Sequence, residues 1–142
     1  METEKKKILF ITSTDTIGWA FDDEIELLGN DYECHKVSSL IEAQKIVQSG
    51  IDKVVIYPFY IARYDDIDLG DRHPRIFAGY CFWEQKLADK KIPTIVVDLH
   101  VQPSTFLEEI IKIGWKKSPN VFFFSHDNTW ENKEKLVELI KS

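Results

Sequence analysis

The chain has 142 residues, 44% of them hydrophobic and 30% charged, which suits one domain with its own buried core. Its formal net charge of −6 excludes a general nucleic-acid or anionic-membrane binder, because such proteins need a basic face. No apolar stretch approaches the roughly 20 residues of a membrane span, and the polar residues after Met1 are unlike a signal peptide. We therefore expect a single cytoplasmic domain over residues 1–142, with Cys34 and Cys81 as reduced thiols.

Five short segments predict β-strands. Four of them are continuous runs of β-branched and aromatic residues, which indicates strands buried on both faces of a parallel sheet. These four runs cover residues 7–12, 53–57, 94–98 and 121–125. A more polar segment at 32–37 is typical of an edge strand.

Helical periodicity follows each of these strands. Ser39 with Glu42 forms a capping box, as does Thr105 with Glu108, and Pro74 suits the first turn of a helix. The predicted helices cover about 17–28, 39–48, 74–90, 105–114 and 131–141. Alternating strands and helices predict an α/β fold with right-handed crossovers. We expect a three-layer α/β/α sandwich around a five-stranded parallel sheet of order 2-1-3-4-5.

Polar residues follow the predicted strands at their carboxyl ends, where ligands collect in an open parallel sheet. The candidate ligand-binding residues are Ser13, Thr14, Asp15, Tyr57, Asp98 and His126, with His100 and Asp127 nearby. Carboxylates and imidazoles together suit a divalent metal or a general acid–base pair. The competing interpretation is that these residues are solvated loop residues at the ends of buried strands.

The order and spacing of these elements resemble the receiver domain of two-component response regulators. The resemblance is closest over residues 8–57 and 92–140. It implies the flavodoxin-like fold, and it implies a magnesium-dependent phosphorylation site at the carboxyl ends of the strands.

The chain departs from the receiver pattern at each position of that site. Thr12–Thr14 stand where a receiver has an acidic pair, and Tyr57 stands where it has the phosphate-accepting aspartate. The switch Ser or Thr of a receiver falls on Asp98, and its lysine falls on Ser125 or His126. Aspartyl phosphorylation needs a carboxylate nucleophile and a metal that shields the phosphate charge. We expect a degenerate pseudo-receiver without catalytic residues.

Two other resemblances suggest small-molecule chemistry. The turn from Ser13 to Gly18 resembles the hydroxyl-rich phosphate loop of flavodoxins, which implies a flavin cofactor. The acidic loop before Glu84 resembles nucleoside deoxyribosyltransferases, which implies a glycosidase that uses Glu84. The simpler interpretations are a helix cap in the first case and an exposed helical carboxylate in the second. The acidic loop residues Asp65, Asp66, Asp68 and Asp71 lack the regular spacing of a calcium loop.

Aromatic residues are concentrated in the long loop after the third strand and in the third helix. That helix is apolar around most of its circumference, so it is either unusually buried or half of an interface. The interface candidates are Phe59, Tyr60, Tyr64, Phe82 and Trp83. Our first hypothesis is a protein that contacts a signalling partner or a second copy of itself; the alternative is a flavin, nucleotide or metal site at the strand ends.

Overall fold

A computed structural model of the chain describes residues 5–12, 21–58, 61, 63–64, 66–72, 74–98, 115, 118–125 and 129–142. Five parallel strands form one sheet in the order β2-β1-β3-β4-β5. The strands are β1 (Lys6–Ile11), β2 (Tyr32–Val37), β3 (Lys53–Ile56), β4 (Thr94–Asp98) and β5 (Val121–Ser125). The predicted fold class and strand order are both confirmed.

The burial of each strand follows its composition and its position in the sheet. The last four residues of β1 and the last three of β3 are buried, because these strands have a neighbour on either side. β2 has the alternating, half-exposed pattern expected of an edge strand. The register places Ile11 of β1 beside Ile56 of β3, and Ile56 beside Val96 of β4.

Four helices surround the sheet in the part of the chain that the structure describes. They are α1 (Asp22–Leu28), α2 (Leu40–Ser49), α3 (Pro74–Phe82) and α4 (Trp130–Lys141). The predicted cap of α2 is confirmed, since the Ser39 hydroxyl accepts from the backbone N–H groups of Ile41 at 3.2 Å and Glu42 at 3.4 Å. The predicted helix at 105–114 lies outside the described residues.

Two helices differ from their predictions at an end. The sequence predicts that the first begins near Ile17, which lies outside the described residues; the described helix begins at Asp22, because Phe21 has a φ of 76°, which no continuous helix accommodates. The third helix runs as predicted from Pro74, but its last turn is a π-helix at Trp83–Leu87. The backbone N–H of Ala88 bonds the Trp83 carbonyl, five residues earlier.

Helices cover the two faces of the sheet. On one face the Phe10 ring of β1 lies 5.3 Å from the Phe21 ring before α1. α4 joins this layer, since Lys133 Nζ lies 2.5 Å from Asp23 Oδ2 of α1. On the opposite face Trp115 lies 6.0 Å from Phe123 of β5 and 5.3 Å from Tyr80 of α3.

None of the helices in the described ranges has the length and apolar character needed to cross a membrane.

Candidate functional site

The carboxyl ends of β1 and β3 lie side by side, where the predicted site would be. The backbone N–H of Tyr57 donates to the Ile11 carbonyl at 2.9 Å, and that of Thr12 donates to the Val37 carbonyl at 2.9 Å. Both strands therefore continue their hydrogen bonding for one residue past the sheet. Thr12 is 2% exposed and Tyr57 is 0% exposed. This part of the sheet end is closed to solvent.

Beside this sheet end, α3 makes an unusually close approach to the residue after Tyr57. A Cβ atom added to Gly79 would lie 2.7 Å from the Pro58 carbonyl oxygen and 2.8 Å from its Cα. Real Cβ atoms do not approach backbone atoms this closely, so only glycine fits at this point of the helix. α3 thus packs directly on the chain that leaves β3.

Of the predicted ligand-binding residues, the structure describes Tyr57 in full and the backbone of Asp98. Tyr57 is a core residue. Asp98 ends β4 and pairs with Ser125 of β5. Ser13, Thr14, Asp15 and His126 lie outside the described residues, as do His100 and Asp127. Within the described ranges, the structure brings together no group of three His, Cys, Asp or Glu side chains that could hold a metal ion.

A cluster of four aromatic rings fixes α3 to the sheet. Trp115 lies at its centre, with ring centroids 5.3 Å from Tyr80, 5.9 Å from Trp83 and 6.0 Å from Phe123. Trp115 is 1% exposed. Such tilted and edge-on ring pairs add packing energy beyond the area they bury. The aromatic character of α3 therefore contributes to the core.

This cluster covers part of the apolar circumference of α3. Phe82 is 0% exposed and Trp83 is 9% exposed, so the interface predicted at these two residues is buried in the domain itself. The physical reason is that Trp115 covers one side of the helix. Tyr64 is half-buried against the core, and Phe59 and Tyr60 lie outside the described residues.

Glu84, the predicted glycosidase residue, takes part in a polar cluster on α3. It accepts a hydrogen bond from the Tyr80 hydroxyl at 2.7 Å, and its other oxygen lies 3.9 Å from Arg72 Nη1. Arg72 also lies over the Tyr80 ring at 5.4 Å and donates to Cys81 Sγ at 3.6 Å. Burial, followed by the hydrogen bond and the charge of Glu84, raises the pKa of Tyr80 to about 12. Burial raises the pKa of the Cys81 thiol, which makes it a poor nucleophile.

The acidic segment before α3 is fastened to the helix. The Asp68 backbone N–H donates to Gln85 Oε1 at 3.0 Å, and Gln85 Nε2 donates to the Asp68 carbonyl at 2.6 Å. The Asp68 carboxylate accepts from the Gly70 N–H at 3.0 Å. Asp68 therefore stabilises a turn, as expected for an acidic loop without calcium-binding spacing.

Sequence reasoning missed three aromatic residues. Trp115 is the centre of the buried ring cluster, whereas Phe122 and Trp130 are 47% and 55% exposed. Phe122 belongs to a continuous apolar run, which by itself predicts burial. One feature of the sequence did indicate that Phe122 is exposed. β5 is the last strand of the predicted sheet, and an edge strand has one open side.

The sequence has no match among protein-family models, and it has no significant match among curated proteins. The fold is nevertheless similar to solved structures. A response regulator receiver protein from Sinorhizobium medicae is similar with a TM-score of 0.57 and 18% identity, over 97% of this chain and 93% of that one. The signal receiver domain of a putative Luxo repressor protein from Vibrio parahaemolyticus is similar with a TM-score of 0.54 and 12% identity, over 97% and 88% of the two chains.

A fusion that carries part of the yeast Spc42 trimeric coiled coil is similar as well, with a TM-score of 0.58 and 13% identity, over 99% of this chain and 79% of that one. Identities this low establish the fold alone. The chain has a receiver-like fold, and the predicted resemblance to response-regulator receiver domains is confirmed at that level.

The contact between α3 and β3 gives a stability prediction. Gly79→Ala should lower the free energy of unfolding by about 1–3 kcal/mol, because the new methyl group would overlap the Pro58 backbone. Urea denaturation measures the change. The control is Gln48→Ala on the exposed side of α2, where we expect almost no effect. A Gly79→Ala protein as stable as the parent would show that α3 does not pack on Pro58 as described.

The Tyr80–Glu84 pair gives a pH prediction. The pKa of Tyr80 is about 12 in the folded protein and 10.0 without perturbation. The folded state therefore keeps a proton that the unfolded state loses, and the stability from this group is lost as the pH rises from about 10 to about 12. Ultraviolet absorbance titrations of the parent and of Tyr80→Phe should differ by one tyrosine that ionises near pH 12.

Glu84→Gln removes the charge beside Tyr80 and should lower the pKa of Tyr80 only in part, since burial is the larger cause. Glu42→Gln on α2 is the matched control and should change nothing. If Tyr80 ionised near pH 10 in the parent protein, the described hydrogen bond and burial would be wrong.

Proposed function

We propose that this protein is a pseudo-receiver: a receiver-like domain of the cytoplasm that accepts no phosphoryl group and acts through protein contacts. The observation that supports this most directly is the residue at the end of β3. Where the receiver resemblance implies an exposed phosphate-accepting aspartate, this chain has Tyr57, which is 0% exposed. The role that we propose requires no cofactor.

The chemistry of phosphoryl transfer makes the residue at position 57 decisive for whether the domain can be phosphorylated. An aspartyl acceptor needs a carboxylate that the phosphodonor can reach, and a metal beside it that offsets the phosphate charge. Residues 10–14 and 56–58, at the ends of β1 and β3, contain no carboxylate. Tyr57 is itself fully buried, so a phosphodonor has no access to its side chain.

The proposed contact surface lies at the start of α4. Trp130 is 55% exposed, and Lys133 Nζ lies 6.0 Å from its ring centroid. Lys133 is in turn held by Asp23 of α1, so the surface beside Trp130 belongs to two packed helices. Large aromatic side chains on a rigid surface are frequent anchors of protein interfaces. The partner that we propose is a signalling protein or a second copy of this chain.

Phosphorylation is tested with acetyl phosphate and Mg²⁺, followed by intact-mass spectrometry. We expect no added phosphoryl group on this protein, whereas a receiver domain that retains its aspartate is modified in the parallel control. A hydroxylamine-sensitive phosphoryl group on the parent protein would contradict the proposal, because that sensitivity identifies an acyl phosphate.

Self-association is measured by sedimentation velocity over a range of protein concentrations. If the partner is a second copy, Trp130→Ala should weaken the association by at least about tenfold, as for an interface anchor. Glu134→Ala, an exposed substitution on the same helix, is the control and should have little effect. Equal association of the Trp130→Ala variant and the parent would exclude Trp130 as the anchor.

A further inference from the structure

A pocket of about 470 Å³ opens at the amino ends of the strands, on the face covered by α4. It lies at the opposite end of the sheet from Tyr57. Its volume is within the range of small-molecule sites. The residues that line it and matter here are Lys6, Ile8, Lys53, Ile95, Phe122 and Leu139.

The pocket exists because α4 covers the middle of this face and leaves part of β5 open. Lys53 Nζ donates to the carbonyl oxygens of Ile140 at 2.8 Å and Ser142 at 3.0 Å, which holds the end of α4 over β3. Ile95 and Phe122 are register partners on β4 and β5. Ile95 is 1% exposed, whereas Phe122 is 47% exposed. The pocket thus has a buried aliphatic floor and an accessible aromatic wall.

The charges at the rim favour an anion. Lys6 and Lys53 both line the pocket, and neither forms an ion pair with any carboxylate that the structure describes. Burial and the nearby charge of Lys6 lower the pKa of Lys53, which indicates that a negative charge between the two lysines would be stabilised. Asp52 also lines the rim, and its carboxylate accepts from the Lys7 N–H at 2.8 Å. Among the described side chains that line the rim, two ammonium groups and one carboxylate leave one positive charge in excess.

We propose that this pocket binds a small amphipathic monocarboxylate, with an aromatic or branched aliphatic body. The apolar body packs on Phe122, Ile95 and Leu139, and the carboxylate lies near Lys6 and Lys53. A dianion fits less well, because Asp52 repels the second charge. This site is independent of the proposed protein contacts at Trp130 and of the missing phosphate acceptor.

Phenylacetate is the probe, and phenylacetamide is its uncharged match. In two-dimensional ¹⁵N–¹H spectra of the full chain, phenylacetate should shift the amides of Lys6, Ile8, Lys53, Ile95 and Phe122 in a saturable manner. We expect a dissociation constant of about 1 mM, as for a small fragment. Phenylacetamide should bind at least about threefold more weakly, and added salt should reduce the difference.

Single substitutions of exposed residues test the contribution of each charge to binding. Lys6→Gln should weaken phenylacetate binding by about threefold, and Asp52→Asn should strengthen it by about twofold while keeping the acceptor for the Lys7 N–H. Lys5→Gln, an exposed neighbour outside the pocket lining, is the matched control. Lys53 is left unchanged because it holds the end of α4.

Three results would overturn the proposal. One is the absence of saturable shifts at these amides up to about 20 mM phenylacetate, well above the expected dissociation constant. Another is equal binding of phenylacetamide and phenylacetate, which would remove the role of the lysines. The third is an equal effect of Lys5→Gln and Lys6→Gln, which would show that only the net charge of the protein matters.

Discussion

The close packing of Gly79 on Pro58 brings the backbone of α3 into direct contact with the chain that leaves β3. Because no side chain separates α3 from the chain leaving β3, the helix lies directly over the end of that strand. Tyr57, the residue before Pro58, is enclosed in the core, at the position that the receiver resemblance assigns to the phosphate acceptor. The end of β3 is therefore part of the buried core.

The ring cluster around Trp115 extends the same constraint to β5. Trp115 contacts Tyr80 and Trp83 on α3 and Phe123 on the sheet, so it connects the helix to the last strand. On another side of α3, Arg72 and Glu84 meet around Tyr80. The apolar circumference of α3 is explained by contacts within the domain.

The two ends of the sheet differ in the exposure of their side chains, which the sequence pattern does not predict. At the carboxyl end, Thr12 and Tyr57 are buried. At the amino end, α4 stops over β3, and Phe122 of β5 remains partly open beside two lysines. Open parallel sheets usually bind ligands beyond their carboxyl ends. Here a pocket of about 470 Å³ lies at the other end of the sheet.

The sequence by itself determined the strands, their order and most helix boundaries. β2, β4 and β5 begin and end where their residue patterns predict, and Ser39 caps α2 as expected, because strand burial and capping depend on neighbouring residues. The sequence also showed that Tyr57, and not a carboxylate, follows β3 directly. Only the tertiary structure decided that Trp83 is buried and Phe122 exposed. An apolar run shows that a residue can be buried, but which distant segment covers it depends on how the helices pack.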